Sequence, residues 1–460
     1  MKINMRLYGF IIGSIMILLS WAQSFLINYL IPLGVIAIIM SVVNIIVVKK
    51  HFNEKLYRGL FVISTLSIAA EILWILFDKI ELFVVAQVSF VASGFVFIIF
   101  ALGVHTKTNR SFTSTALRIG QWIPIIVLML VTSILILITV TPKPVTLYLQ
   151  SSSGAKNTFH AEPSITTTID GKYQLTSNIQ YGEQYPRSFL NIITPKGSLD
   201  EERPTYFYVH GGGFIAGDSI GGDPNAGAAQ NTMLYHYELM VDHGYNVVTI
   251  NYALAPEYVH PTPIKQLSEA VQFMQQNGKQ YGINMNNVIF GGGSAGGFIA
   301  ANFITIQANP DYAKEIDINP VIELKDIKAL VLEVPALDFT RGHRTVTQDI
   351  VTDYIFAQSG SAYMGQPVVS ADKEVLQSLN VIPKATSNFP PTFITDGNTG
   401  TFPDQAEDYY KRLKALGVNT DLYIPDIHES KEVHGYMNTI DTAATRTYIQ
   451  RKLAFLDSLE

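Results

Sequence analysis

Two glycine-rich segments of this chain carry residue types that together could perform acyl transfer. The first is His210-Gly211-Gly212-Gly213-Phe214 and the second is Gly292-Gly293-Ser294-Ala295-Gly296. The second has the G-x-S-x-G pattern, in which small flanking residues allow a sharp strand-to-helix turn that lifts a serine hydroxyl above a sheet. Backbone N–H groups from the first segment are suited to stabilise an oxyanion. The pair, in this order and at this spacing, predicts a serine hydrolase.

Ser294 is the predicted nucleophile because its surroundings match the elbow. A strand-like run, Val288–Phe290, precedes it and a helical stretch, Phe298–Ile306, follows it. The backbone N–H groups of Gly211, Gly212 and Ala295 are the predicted oxyanion donors. His210 precedes these glycines, whereas the expected chain order is serine, acid, histidine, so we interpret it as a residue that braces the loop.

The general base must therefore follow Ser294, and three histidines do so: His343, His428 and His434. His434 comes after the strand-like run Thr420–Ile424 and before the last predicted helix, Ala443–Leu456. His343 lies too early in the chain, and His428 lies in a charged run. We predict that His434 is the base.

The acid is less well determined by the sequence. Asp338, Asp396 and Asp404 each follow a predicted strand. Asp404, with Gln405, Ala406 and Glu407 after it, also has the pattern of a helix capping box, which is a structural explanation for its presence. Asp396 directly follows the strand Thr392–Thr395 at the sheet end that carries Ser294. We prefer Asp396 and keep Asp404 as the second candidate.

Short apolar strands alternate with helices through the second part of the chain, which predicts a mostly parallel sheet covered by helices on both faces. An antiparallel pair, Tyr173–Ile179 with Ser188–Ile193, is expected at one edge. The other predicted strands are Thr205–Val209, Asn246–Asn251, Asn287–Gly291 and Ala329–Val334. The helices predicted between them and after them include Thr232–His243, Ile264–Tyr281 and Gln405–Leu416.

The first part of the chain has a different composition. Residues 1–145 hold 11 Lys and Arg and 4 Asp and Glu, whereas the remainder is acidic with a net charge of −13, which excludes a general nucleic-acid binder. Its apolar runs approach or reach the length that crosses a bilayer. The predicted spans are Leu7–Trp21, Phe25–Val48, Leu60–Phe77, Leu82–Val104 and Ile119–Val140. We therefore predict a membrane region at 1–145, a linker at 146–170 and a catalytic domain at 171–460.

Positive charge predicts the orientation of these spans. Basic residues precede the first span and lie in the loops after the second and fourth: Lys2, Arg6, Lys49, Lys50, Lys55, Arg58, Lys107, Arg110 and Arg118. By the positive-inside rule these segments are cytoplasmic, so five spans place everything after Val140 outside the cytoplasm. The absence of cysteine fits an exported domain that does not use disulfides and fits a cytosolic domain equally well.

Glu71 lies in the middle of the third predicted span, where a carboxylate is costly. We expect its side chain to face neighbouring helices. A structural role, in which the carboxyl bonds to another helix, is favoured over a proton or ligand site.

Four segments in order resemble the hormone-sensitive-lipase-like family of α/β-hydrolases, over about residues 170–460. They are the loop His210–Phe214, Tyr252-Ala253-Leu254-Ala255-Pro256-Glu257, the glycines around Ser294, and His434-Gly435-Tyr436. The resemblance implies an α/β-hydrolase fold, here preceded by an all-α transmembrane bundle, with an eight-stranded sheet and a Ser-Asp-His triad. It also implies hydrolysis of short to medium acyl esters without metal or cofactor.

The chain departs from the family pattern at three positions. Gly293 and Ala253 replace an Asp and an Arg, and Gly400-Thr401-Phe402 replaces an Asp-Pro-Leu triplet. An ungapped match places the expected acid at Gly400, with Asp396 and Asp404 equally distant from it. The acid is therefore displaced or missing, and an enzyme without it can keep partial activity.

We expect a membrane-anchored carboxylic-ester hydrolase whose partners are an ester substrate and the lipid bilayer. The sequence identifies no protein partner. The alternative hypothesis is a non-catalytic sensor that binds an acyl ligand on a hydrolase fold, since fold alone does not guarantee function.

Overall fold

The computed structural model describes residues 5–26, 29–51, 54–77, 79–102, 122–153, 157, 164–197, 202–220 and 232–459. The chain forms two compact units. Met1–Pro142 with Pro367–Ala371 make up the first unit, and Lys143–Gln366 with Asp372–Glu460 make up the second.

The first unit is helical. Its helices are α1 Met5–Phe25, α2 Leu30–His51, α3 Glu54–Phe77, α4 Ile80–Leu102 and α5 Trp122–Val140. Each is long and apolar enough to cross a membrane, and each overlaps one of the predicted spans. Small residues bring α1 and α4 together: a Cβ on Gly13 would lie 2.5 Å from the carbonyl oxygen of Gly94, so the two backbones are in direct contact.

Polar side chains lie inside this helical unit. Glu71 on α3 is fully buried, as the sequence predicts, and Gly34 on α2 leaves room for it, because a Cβ there would lie 3.1 Å from Glu71 Oε2. Ser20 donates to Gln87 Oε1 (2.6 Å), and the Gln87 amide donates to Gln23 Oε1 (2.6 Å). These bonds connect α1 with α4.

The second unit is an α/β domain built on one nine-stranded sheet. Its strands are β1 Ile165–Ile169, β2 Tyr173–Gln180, β3 Phe189–Pro195, β4 Pro204–Val209, β5 Asn246–Ile250, β6 Asn284–Gly293, β7 Ile327–Glu333, β8 Thr392–Thr395 and β9 Thr420–Tyr423. The order is β1-β2-β3-β5-β4-β6-β7-β8-β9. Strands β1, β2, β3 and β5 pair antiparallel in succession, and the pairs from β5 through β4 to β9 are parallel.

Helices cover both faces of this sheet. The helices described in this unit are α6 Lys143–Ser153, α7 Thr232–Asp242, α8 Thr262–Asn277, α9 Ala295–Ala308, α10 Pro310–Glu315, α11 Ile350–Met364, α12 Lys373–Ser378, α13 Pro403–Ala415 and α14 Ala443–Asp457. Alternate strand residues point to opposite sides. Tyr206 on β4 joins a core cluster with side chains of α7 and α14, whereas its neighbour Phe207 stacks near Phe290, which contacts Phe303 of α9.

The expected mostly parallel sheet and its antiparallel pair are confirmed, with two differences. An additional strand, β1, lies outside β2, so the described sheet has nine strands where the resemblance implied eight. The expected linker, 146–170, contains regular secondary structure: its beginning lies within α6, and β1 lies near its end. Strand β1 has the sequence Ile-Thr-Thr-Thr-Ile, which is rich in β-branched residues suited to a strand but mostly exposed.

Candidate active site

Ser294 lies on a strained turn between β6 and α9. Its backbone has φ 53° and ψ −116°, a conformation that L-residues rarely adopt. The flanking glycines make this turn possible, since a Cβ on Gly292 would lie 2.3 Å from the carbonyl oxygen of Gly296, and a Cβ on Gly296 would lie 2.0 Å from that of Val209. The Ser294 N–H donates to the Glu333 carbonyl (2.7 Å), which ties the turn to β7.

His434 lies in the loop between β9 and α14 and reaches Ser294. Its Nε2 is 2.8 Å from Ser294 Oγ, within hydrogen-bond distance. The ring packs edge-on against Phe356, with 4.9 Å between the ring centroids. Burial lowers the pKa of His434 to about 4, so the imidazole is neutral at neutral pH.

The second ring nitrogen of His434 meets a hydroxyl group. Nδ1 lies 2.8 Å from Thr401 Oγ1, and the Thr401 hydroxyl donates to Asp396 Oδ1 at 2.5 Å. The Gly397 N–H also donates to Asp396 Oδ1 (2.7 Å). Burial raises the pKa of Asp396 to about 8, although these hydrogen bonds oppose the shift. The carboxylate preferred from the sequence is therefore joined to His434 through Thr401, a residue that the sequence did not single out.

Asp404 and Asp338 are bound to another group. The Arg341 guanidinium donates to Asp338 Oδ2 (2.9 Å), to Asp404 Oδ2 (2.9 Å) and to Asp408 Oδ2 (2.6 Å). Since both ring nitrogens of His434 have other partners, Asp404 is not hydrogen-bonded to it. Helix α13 begins at Pro403, and its N-cap residue makes no side-chain capping bond, so the expected capping box at Asp404 does not form.

The glycine loop after β4 turns back on itself beside Ser294. Gly212 and Gly213 have φ of 115° and 61°, and a Cβ on Gly212 would lie 2.1 Å from the Ala216 carbonyl oxygen. The Ala216 N–H donates back to Gly212 O (3.0 Å), so residues 212–216 form a tight turn. A Cβ on Gly211 would lie 3.3 Å from Ser294 Cβ, so the loop is in contact with the elbow. Ala295 is the first residue of α9, where the N–H has no partner within the helix.

His210 is a buried residue at the base of this loop. Its ring stacks on Tyr252 with 4.3 Å between centroids, and Nδ1 lies 2.6 Å from the Gly211 carbonyl oxygen. Burial, with the nearby Arg187, lowers the pKa of His210 to about 4. These contacts match the bracing role expected for His210.

Comparison with known proteins identifies the family. A family model described as alpha/beta hydrolase fold matches residues 206–438, just over half of the 460-residue chain. The chain belongs to the alpha/beta hydrolase fold family. The family predicted from the four sequence segments is confirmed at this level.

Individual relatives of this alpha/beta hydrolase are distant. An alpha/beta hydrolase of Acanthamoeba polyphaga mimivirus is 25% identical over 267 residues, covering 57% of this chain and 68% of the relative. An esterase of Gibberella moniliformis is 23% identical over 256 residues, covering 55% and 70%. The crystal structure of esterase B from Lactobacillus rhamnosis aligns with a TM-score of 0.49 and 18% identity, over 64% of this chain and 89% of that structure.

A cleft of about 560 Å³ opens above Ser294 and His434 in this alpha/beta hydrolase. Leu149 and Ser152 of α6, with Ile355 and Phe356 of α11, are among the residues that line it. Helix α6 is not evident from the sequence, because its polar end, Gln-Ser-Ser-Ser, is typical of a linker. The Gln150 amide donates to the Ala255 carbonyl (2.6 Å), which joins α6 to the loop after β5.

Arg187 is a second residue that the sequence did not reveal. It is fully buried, and its guanidinium donates to the carbonyl oxygens of Tyr252 (3.0 Å) and Gly217 (2.7 Å). It therefore joins the loop after β5 to the end of the glycine loop. The family Arg expected at position 253 is absent, and Arg187, from the turn before β3, donates to the adjacent carbonyl of Tyr252.

A buried ion pair lies behind the elbow. Lys452 Nζ is 3.4 Å from Glu333 Oε1, Tyr208 donates to Glu333 Oε2 (2.7 Å), and Tyr448 also donates to this carboxylate. Burial opposes ionisation, yet Lys452 and its neighbours hold the pKa of Glu333 below its usual value. A Cβ on Gly293 would lie 3.9 Å from Glu333 Oε2, so Glu333 places a carboxylate beside the position where the family carries Asp.

Within the described ranges, no group of three or more His, Cys, Asp and Glu side chains is placed to hold a metal ion. Ser294, His434 and the glycine loop are among the polar groups that line the cleft.

Proposed function

We propose that this chain is a carboxylic-ester hydrolase in which Ser294 is the nucleophile and His434 is the general base. The observation that carries the proposal is the 2.8 Å approach of His434 Nε2 to a serine hydroxyl held on a strained elbow. The esterase among its relatives supports the same reaction class.

In the acylation step, His434 Nε2 accepts the proton of Ser294 Oγ as Oγ attacks the ester carbonyl carbon. The developing oxyanion is stabilised by the N–H groups of Gly211, Gly212 and Ala295. The tetrahedral intermediate collapses when His434 gives its proton to the departing alkoxide, which leaves as an alcohol. An acyl-enzyme remains on Ser294.

In the deacylation step, water attacks the acyl carbon and His434 takes one of its protons. The ester bond to Ser294 breaks, Oγ recovers a proton from His434, and the carboxylic acid is released. We propose Asp396 as the acid of this Ser-His-Asp arrangement, acting through Thr401. Asp404, the second candidate, has Arg341 as its partner.

The cleft supports a substrate of small to medium size. A volume of about 560 Å³ lies within the range of small-molecule sites, roughly 300–1,000 Å³. Its walls carry Leu149, Ile355 and Phe356, which suit an apolar acyl chain. Short to medium acyl esters, including acylated lipid or envelope compounds, fit this chemistry.

The test is labelling with a fluorophosphonate probe, together with turnover of p-nitrophenyl esters of graded acyl length. Wild type should label and turn over, and Ser294→Ala should do neither. Ser458→Ala, an exposed serine at the end of α14, is the matched control and should behave as wild type. Equal labelling of wild type and Ser294→Ala would refute the assignment of the nucleophile.

We further propose that the helical unit spans a membrane and that the hydrolase lies outside the cytoplasm. Five apolar helices and the distribution of basic residues support this topology. The chain has no cysteine, so single-cysteine variants report orientation directly. Ser458→Cys should react with a membrane-impermeant maleimide in intact cells, and Lys50→Cys only after lysis. The reverse pattern would place the hydrolase in the cytoplasm.

A non-catalytic acyl-binding role is the second candidate, favoured by Gly400 at the expected acid position. It predicts that folded wild-type protein binds acyl ligands without reacting with the fluorophosphonate.

A further inference from the structure

The link between His434 and Asp396 is a single hydroxyl group. A serine or threonine hydroxyl has one hydrogen to donate and two lone pairs that accept. Thr401 Oγ1 lies 2.8 Å from His434 Nδ1 and 2.5 Å from Asp396 Oδ1, so it donates to one of these groups and accepts from the other. The direction of both hydrogen bonds depends on whether the proton is on Asp396 or on His434 Nδ1.

We propose that the protonation state of Asp396 selects the tautomer of His434 through the Thr401 hydroxyl. This inference rests on the proposed function of Ser294 and His434. Thr401 and Asp396 act as positioning residues, since neither is bonded to Ser294.

When Asp396 is ionised, it accepts the Thr401 hydroxyl hydrogen, and Thr401 Oγ1 accepts from His434 Nδ1–H. The lone pair of Nε2 then faces Ser294 Oγ and can take its proton. When Asp396 is protonated, its O–H donates to Thr401, which turns its own hydrogen toward Nδ1. The imidazole proton then resides on Nε2, which cannot accept the serine proton. Only the ionised form of Asp396 leaves Nε2 able to accept the serine proton. The two forms differ by the one proton on Asp396, and Thr401 and His434 keep the same number of protons in both.

The surroundings of Asp396 favour its neutral form within the working pH range. The carboxyl is fully buried, and Oδ2 makes no hydrogen bond of standard geometry among the described residues, although the Phe402 N–H lies close enough to oppose the rise in pKa. The titratable groups that face it are Asp404 from α13, Tyr436 from the loop before α14, and His434 across Thr401. The cation bonded to Asp404, Arg341, is shared with Asp338 and Asp408, and it makes no ion pair with Asp396.

The pKa values of Asp396 and His434 indicate which of the two groups determines the pH dependence of catalysis. Burial raises the pKa of Asp396 to about 8 and lowers that of His434 to about 4. Catalytic efficiency should therefore rise with pH through a midpoint near the Asp396 value rather than near that of an ordinary histidine. At two pH units below the midpoint, kcat/KM falls to about one hundredth of its plateau.

The substitution Asp396→Asn distinguishes this indirect arrangement, in which Thr401 lies between Asp396 and His434, from a triad in which the carboxylate bonds directly to the histidine. The Gly397 N–H donates to Oδ1, so an amide at this position places its oxygen there and accepts permanently from Thr401. Asp396→Asn should keep activity within about 10-fold of the wild-type plateau and lose the pH step. In a triad whose carboxylate bonds directly to the histidine, the same change costs about 10⁴ in kcat.

The experiment measures kcat/KM for p-nitrophenyl butyrate from about pH 5 to about pH 9.5, with the rate of Ser294→Ala subtracted at each pH. The proteins are the full-length wild type, Asp396→Asn, Thr401→Val and Thr401→Ser. The matched control is Thr205→Val, which removes a buried hydroxyl bonded to Asn284 O (2.7 Å) at the far end of β4. Thermal melts check that each variant is folded.

We expect a wild-type midpoint near 8 that Thr401→Ser retains. Thr401→Val should lose about 10- to 100-fold at high pH together with the midpoint, and Asp396→Asn should exceed wild type at low pH. A midpoint near 6.5 that neither Asp396→Asn nor Thr401→Val alters would overturn the inference while leaving the ester hydrolase intact. Wild-type turnover no higher than that of Ser294→Ala would instead refute the proposed function.

Discussion

The strained backbone of Ser294 makes a quantitative prediction about stability. Its φ of 53° with ψ of −116° is a conformation that costs an L-residue on the order of 1–3 kcal/mol. Glycine adopts it without this penalty but loses about 0.5–1 kcal/mol through the greater freedom of the unfolded chain. Taken near the centres of these two ranges, Ser294→Gly should be more stable than Ser294→Ala by about 1–2 kcal/mol. Both variants lose the bond to His434, so the comparison isolates the backbone.

The assay is thermal unfolding of the two full-length variants, followed by circular dichroism at one scan rate. A difference of about 1–2 kcal/mol corresponds to about 2–6 °C in a domain of this size. Ser268 supplies the control, because it lies within α8 at ordinary helical geometry. There the order should reverse, with Ser268→Gly about 1 kcal/mol less stable than Ser268→Ala. A melting temperature of Ser294→Gly at or below that of Ser294→Ala would refute the strained elbow.

Three further outcomes follow from the same structure. Lys452→Met leaves the buried carboxylate of Glu333 without its cation and should lower the free energy of unfolding, measured by denaturant titration, by about 3–5 kcal/mol. Adding Glu333→Gln should recover part of this loss, and a double variant whose effect equals the sum of the two single effects would contradict the pairing. Gly400→Asp introduces the carboxylate that the family carries there, at a left-handed position (φ 58°) where a Cβ meets nothing closer than 3.8 Å. The variant should fold and move the midpoint of the pH–activity profile to lower pH, whereas an unchanged profile would show that this carboxylate does not reach His434. Gly296→Ala places a Cβ about 2.0 Å from a strand carbonyl and should abolish fluorophosphonate labelling, and normal labelling would contradict the tight elbow.

Much of the fold is predictable because it depends on local patterns. Buried strands such as β4 and β6 are short apolar runs. The glycines of the elbow and of the glycine loop indicate sharp turns at those positions. The five long apolar helices are equally clear from composition, and their insertion into a membrane stays a prediction.

The candidate site is only partly predictable because its polar contacts join distant residues. Ser294 and His434 follow from chain order, although their catalytic roles stay predictions. The relay through Thr401 depends on how the loop after β8 folds, and the sequence alone gives threonine no special role there. The same holds for Glu333 and Lys452, which lie 119 residues apart.

Two errors of interpretation have physical causes. Helix α6 contains a polar run that is typical of a linker, but Gln150 finds a buried carbonyl partner in the hydrolase unit. The capping-box pattern at Asp404 is overridden by Pro403, which occupies the first helical position and moves Asp404 into the first turn.

The most direct test of the central claim is fluorophosphonate labelling of wild type and Ser294→Ala, with ester turnover measured on the same samples. We expect labelling and turnover in wild type and neither in the folded variant. Labelling that persists in Ser294→Ala, or folded wild-type protein that neither labels nor hydrolyses esters, would contradict it.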